Sequence, residues 1–303
     1  MAQSRRPRMI IVTGASGFIG SAVCRALESR GDRVLRIGRG ADADLQWPAI
    51  GSGFAADAVA LIGTARAVVH LAGATISERW TATHKRALRE SRVNLTDALA
   101  RAVGAAPRPP ALISGSAVGI YGDRRDEWLT EASAPGTDFL GTLARDWEAA
   151  TLPASQAGAR VVLMRTGVVF GRGGGMLGKL KLPFSLGLGA RLGSGRQWLS
   201  WIALEDAVQF VLRAIDDAAM SGAYNLCAPG PVTNAEFTDA FARVLHRRAL
   251  VATPAFVLRA AFGEMADGVL LASQRVRPAR LIETGFPFRF PDAAGALRHA
   301  VAA

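Results

Sequence analysis

One short stretch restricts the fold more than any other: MIIVTGASGFIGSAVCRAL, beginning at Met9. Ile10 to Val12 is a brief apolar run, as a strand buried on both faces requires. Gly14, Gly17 and Gly20 follow at intervals of three. Ile19, Val23, Ala26 and Leu27 then make a helical stripe that stops at Gly31-Asp32, and Arg33 to Ile37 reads as a second strand. Strand, glycine turn, helix and strand in that order is the setting in which such glycines cradle a dinucleotide. The glycines permit a tight turn and a close backbone approach. The helix then offers free N–H groups and its positive dipole end to a pyrophosphate. Gly14, Ser16, Gly17, Phe18, Ile19 and Gly20 are the expected contact positions of this turn.

The end of the second strand chooses between cofactors. A carboxylate there binds the ribose 2′-hydroxyl of NAD. This chain has Arg36-Ile37-Gly38-Arg39, and the nearest acid is Asp42. Gly38 and Arg39 are therefore expected at the ribose, with the planar fork of Arg39 suited to a 2′-phosphate. NADP is favoured and NAD stays open, as does a merely solvated Arg39.

The bulk numbers suit an enzyme-sized α/β chain. Its 303 residues are 50% hydrophobic, enough for a large core and a smaller unit. No apolar run approaches the ~18 residues of a membrane span, and the apolar start at Met9 breaks too early for a signal peptide. Cys24 and Cys227 are too few for a disulfide framework, so a cytoplasmic protein with two small apolar fillers is expected. The net charge of +11 is scattered, with no basic stripe and no interleaved aromatics. It implies solubility and attraction for anionic small molecules rather than nucleic acid. The four histidines show no metal-ligand spacing.

Several segments together resemble the short-chain dehydrogenase/reductase superfamily in its extended, epimerase-like form. VVHLAGA at 68–74 is similar to the motif after strand four, and RTGVVFG at 165–171 to the turn near the nicotinamide. RW at 79–80, SRV at 91–93, GSGRQWLSWI from 193 and FGEMADGVLLASQRVRPARLIETGFPFRFP at 262–291 resemble one atypical branch, the epimerase-family proteins with their own small C-terminal domain. The resemblance covers residues 9 to about 298. It implies a Rossmann-type doubly wound parallel sheet over 9–230, with 171–195 contributing a flap. It also implies a small, mostly helical C-terminal substrate lobe over 231–303, with a family-specific part near 250–298. Residues 1–8 are expected to be a disordered extension. Leu71, Ala72, Gly73 and Val169 join the expected cofactor contacts.

The superfamily's Tyr-x-x-x-Lys pair is missing. The tyrosines are Tyr121 and Tyr224, with Arg125 and Ala228 four residues on. Registration on Glu148 puts the two positions at Leu140 and Ala144, neither of which moves a proton. Ser116 corresponds to the superfamily serine that hydrogen-bonds the reacting oxygen. Tyr121 corresponds to a loop tyrosine, either a surrogate acid or simply packed.

Arg92 lies on the stripe Leu88, Leu95, Leu99 and Val103 of a helix expected over about 82–103. A buried-face arginine needs an anion or a set of acceptors. It is expected to face the cofactor or an acidic substrate, or else to form a structural ion pair.

Gly171 to Gly195 is rich in glycine and lysine or arginine. It reads as an anion-binding flap or as a plain loop and helix.

The expected activity is an NADP(H)-dependent oxidoreductase of a small carbonyl or alcohol, with a non-catalytic or redox-sensing binder as the alternative. A sugar-nucleotide epimerase is disfavoured, because epimerisation in this superfamily uses the same pair.

Overall fold

The computed structural model describes residues 8–41, 43–49 and 51–302. Most of the expected N-terminal extension, residues 1–7, lies outside the described residues. Arg8 is tied down by Asp32 at 3.0 Å and Asp216 at 2.7 Å.

The centre is a seven-stranded parallel sheet. Five strands come first in the chain: β1 (Met9–Thr13), β2 (Arg33–Gly38), β3 (Leu45–Gln46), β4 (Ala67–His70) and β5 (Ala111–Ala117). Across the sheet the order is Gly222–Leu226, Val161–Thr166, β5, β4, β1, β2, β3. The crossovers of this parallel sheet pass through helices, except the short link over 39–44 from β2 to β3. Ile10 and Val12 pack on one face with Val23 and Leu27 of the first helix (Phe18–Ser29) and Phe210 of the helix Leu204–Asp216. Ile11 faces the other way, with Ile62, Leu99 and Val103. That double burial is why the strands read as continuous apolar runs. Each such side chain taken fully from water contributes about 1.5–3 kcal/mol.

The strand order reverses direction between β1 and β4. The turns leaving their C-terminal ends therefore diverge and open a crevice, the place where ligands bind in open α/β sheets.

The C-terminal part packs on a separate core of Phe170, Leu177, Phe184, Trp201, Phe237, Phe241 and Leu297. A capping box opens the helix Asn234–Val244: Thr233 Oγ1 accepts from the Glu236 amide at 3.2 Å, and Glu236 Oε2 accepts from the Thr233 amide at 2.7 Å. The 171–195 segment forms a helix, Gly175–Ser185, and a strand, Ala190–Leu192, which pairs with Val251–Thr253. Leu177 and Phe184 anchor that helix in the C-terminal core.

One expected stripe is displaced. The long helix comprises Ala82–Arg89, a wide π turn over Glu90–Asn94, and Leu95–Gly104. The π turn takes one extra residue. Leu88, Leu99 and Val103 are buried as expected, but Leu95 is only half-buried and Thr96 is buried in its place.

Candidate functional site

The first glycine turn closes by steric necessity. Gly14 sits at φ +67°, and a side chain there would lie 2.7 Å from the Leu71 carbonyl. A Cβ on Gly20 would lie 2.1 Å from the Gly14 oxygen. So Gly14 lets the turn meet the strand-β4 turn, and Gly20 lets the helix meet Gly14. Gly17 caps the helix without a side-chain hydrogen bond, and no acid lies in the first turn. The opening N–H groups are thus free of internal partners, as an anion requires.

A cavity of about 360 Å³ joins these elements. Its lining includes Gly14, Ser16, Gly17, Gly38, Arg39, Leu71, Ala72 and Gly73, so eight of the expected cofactor residues meet in one place. Arg36 and Trp47 complete the wall at the end of β2. Arg39 is exposed and has no ion pair among the described residues. Asp44, the nearest described acid, accepts from the Arg36 amide at 2.7 Å. Asp42 lies outside the described residues. A second hollow beside the helix start brings Ser16, Gly17 and Phe18 to Arg25 and Arg172.

Phe18 has a further role. Side chains on Gly174 and Gly175 would come within 2.5 and 3.0 Å of its ring. Gly174 and Gly175 therefore make room for an aromatic ring. Ile19 packs against the core beneath the turn, Gly20 is buried, and Val169 is buried on the strand Val168–Phe170.

A buried polar chain stiffens the strand-β4 turn. Thr13 Oγ1 accepts from the amides of Leu71 and Ala72, both at 3.2 Å. Its own proton goes to His70 Nδ1 at 2.7 Å. His70 then donates from Nε2 to Thr96 Oγ1 at 2.8 Å, and Trp147 Nε1 donates to the same oxygen at 2.9 Å. This arrangement requires a neutral ring. Burial pushes the His70 pKa down from 6.5 to about 4. The unfolded chain takes up that proton first, so stability is fully present above pH 6.5 and falls as the pH drops toward 4. The loss is expected to reach about 3 kcal/mol. Urea midpoints measured through this range should decline more steeply for the wild type than for His70→Gln. Parallel declines would refute the neutral-ring assignment.

Ser116 and Tyr121 are both turned inward, and for Tyr121 this is the packed alternative of the two expected. Tyr121 is fully buried; its hydroxyl donates to Asn225 Oδ1 at 2.6 Å and accepts from Arg165 at 3.0 Å. Burial pushes its pKa up to about 12. A phenol so enclosed is no surrogate acid. Ser116 directs its single proton to Glu148 at 2.6 Å, and Glu148 is held by Arg165 at 2.8 and 2.9 Å. Ser116 is therefore a member of a buried network, not a free donor to a reacting oxygen. Leu140 and Ala144 do lie on the helix Phe139–Ala149, both buried and apolar.

Of its two expected roles, Arg92 does not fill that of a structural ion-pair partner. It sits in the π turn and donates to the Ala74 carbonyl at 3.0 Å and, at 3.5 Å, toward that of Leu88. Its guanidinium lies over the Trp147 ring and reaches within 3.5 Å of where a Gly73 side chain would begin. No carboxylate pairs with it among the described residues. Burial pulls its pKa down to about 10.

Glycine-turned crevice, helix start and arginine-lined strand end define a Rossmann-type nucleotide-binding protein. More narrowly, the chain belongs to the NAD dependent epimerase/dehydratase family, whose model matches residues 10–227. Residues 253–300 match a domain of unknown function. An epimerase family protein of Mycobacterium leprae is 44% identical over 304 residues, covering 99% of this chain and 98% of its own. The crystal structure of human epimerase family protein SDR39U1 with NADPH superposes with a TM-score of 0.88 at 35% identity, covering 96% of this chain and 98% of that one. A nucleoside-diphosphate sugar epimerase from Corynebacterium glutamicum gives 0.80 at 38% identity, covering 98% of this chain and 58% of its own. These likenesses accord with an atypical short-chain dehydrogenase/reductase.

Proposed function

We propose that this protein binds NADP(H) across the ends of β1, β2 and β4 and acts as an oxidoreductase on a small carbonyl or alcohol. The observation that carries the cofactor choice is the end of β2, where Arg39 lines the cavity without an ion pair among the described residues, while Arg36 beside it pairs with Glu28 and Asp44 accepts from the Arg36 amide. The similar human protein was solved with NADPH, which supports the same choice. When bound, the nicotinamide supplies hydride chemistry. The chain's part is to hold the phosphates on the first helix, the 2′-phosphate on Arg39 and the dinucleotide against Gly73. With Leu140 and Ala144 in the usual pair positions and Tyr121 enclosed, the proton comes from water or the substrate.

The same apolar pair positions favour a second reading, a protein that binds NADP(H) without turnover. One titration and one assay divide the two. NADPH fluorescence should show tight binding that Arg39→Asp weakens about 10- to 100-fold, with NADH little affected. An unchanged preference would sink the 2′-phosphate assignment. Nicotinamide absorbance should then fall with some member of a carbonyl panel. Tight binding with no turnover across the panel supports the non-catalytic reading.

A further inference from the structure

The segment Gly73–Ser77 leaves the cofactor cavity and is flanked by two cations without carboxylate partners among the described residues. Arg92 approaches from the π turn and bonds the Ala74 carbonyl. Lys179 approaches from the helix Gly175–Ser185 and bonds Ser77 Oγ. Their basic neighbours are differently occupied. Lys85 pairs with Glu264, and Arg79 donates to the carbonyls of Ala260 and Ala261. Carboxylates are therefore within reach of this region, yet none meets Arg92 or Lys179.

Arg92 has five N–H groups, and its described hydrogen bonds use two of them. A guanidinium withdrawn from water without a counter-charge is costly, and a ligand that brings the charge relieves that cost. The cofactor has no need of these groups for its phosphates. Ser16, Gly17, Arg25 and Arg172 gather at the helix start, and Arg39 stands at the ribose.

We infer that Arg92 and Lys179 hold an anionic group of the substrate, a carboxylate or a phosphate, against the Gly73–Ser77 segment. The inference rests on the NADP(H) reading, which the first step of the test checks separately. Lys179 rides on a helix anchored in the C-terminal core, and Arg92 belongs to the nucleotide-binding part. An anion between them bridges the two parts beside the cofactor.

The test begins with an NADPH titration of wild type, Arg92→Gln and Lys179→Gln. Protein saturated with NADP+ is then melted in the presence of inorganic phosphate, pyruvate or succinate, with chloride at equal ionic strength as control. At least one anion should raise the melting temperature above the chloride control. Its apparent affinity should fall about tenfold or more in each variant, while NADPH affinity stays within about twofold. The inference is overturned if none of the three anions exceeds chloride, or if the response survives both substitutions. It is also overturned if NADPH affinity itself drops about tenfold, since the anion is then the cofactor's own. Should Arg92→Gln fail to fold, the exposed Lys179→Gln carries the comparison. Should the wild type not bind NADPH, the cofactor reading falls, and anion melts of the free protein decide this inference by the same criteria.

Discussion

Gly20→Ala is expected to abolish measurable NADPH binding and to lower stability by about 2–4 kcal/mol. The added methyl group would sit 2.1 Å from the Gly14 oxygen and 2.8 Å from its carbonyl carbon. Both obstacles are backbone, so no side-chain rotation relieves the clash. Either the helix must retreat from the turn or the turn must open, and each displaces the N–H groups at the helix start that the proposed function assigns to the cofactor's phosphates. Gly31→Ala is the control. Unlike Gly20, Gly31 has a positive φ, +83°, and nothing lies within 4 Å of its missing Cβ. It should lose about 1 kcal/mol to backbone strain and keep its NADPH affinity. Fluorescence titration and urea unfolding on the two variants test the pair. Normal NADPH affinity in Gly20→Ala would show that the close approach is dispensable.

Glu148→Leu should be the most destabilising change away from the glycine turn, by about 3–5 kcal/mol. It leaves the Arg165 guanidinium half-buried and without its two-point partner, and it takes the acceptor from Ser116. The double variant Glu148→Leu/Arg165→Met should recover much of that loss, because it removes the stranded charge as well. Urea unfolding of both single variants and the double variant measures the coupling. A loss below about 1 kcal/mol in the single variant would mean that water reaches Arg165 freely. Ser116→Ala should be mild, about 1 kcal/mol, since it costs one hydrogen bond in a network otherwise intact.

The parts of this fold that are legible in the sequence are local. The glycine spacing, the apolar runs on either side of it and the capping box at Thr233 each rest on residues within one turn or one strand. Arg39 could be placed at the cavity because it directly follows β2. The helix that carries Leu140 and Ala144, Phe139–Ala149, could be read because it is regular. What escaped the sequence is long-range or irregular. The chain from Thr13 through His70 and Thr96 to Trp147 joins four elements, and the network of Ser116, Tyr121, Glu148, Arg165 and Asn225 spans more than a hundred residues. No periodicity announces either one. The only local hint is a histidine ending the apolar run Val68-Val69-His70. The packing of Gly174 and Gly175 was illegible for a related reason: the ring they accommodate, Phe18, is far away in the chain. Leu95 was misplaced because a single extra residue in a helical turn leaves no compositional trace.

That extra residue also separates two design problems. In a regular helix, whatever fixes the direction of one residue fixes the direction of all the others. Here the Ala82–Arg89 half and the Leu95–Gly104 half are out of phase, with Arg92 in the slack between them. The core side of the second half can be repacked around Leu99 and Val103 without turning the guanidinium, and the position of the guanidinium can drift without unseating Leu88. A one-residue deletion within Glu90–Asn94 would undo that independence. With that residue gone, Leu88 and Thr96 would stand seven residues apart on one face of a regular helix, so Thr96 would keep its place between His70 and Trp147, and what would be lost is the wide turn that carries Arg92 to Gly73.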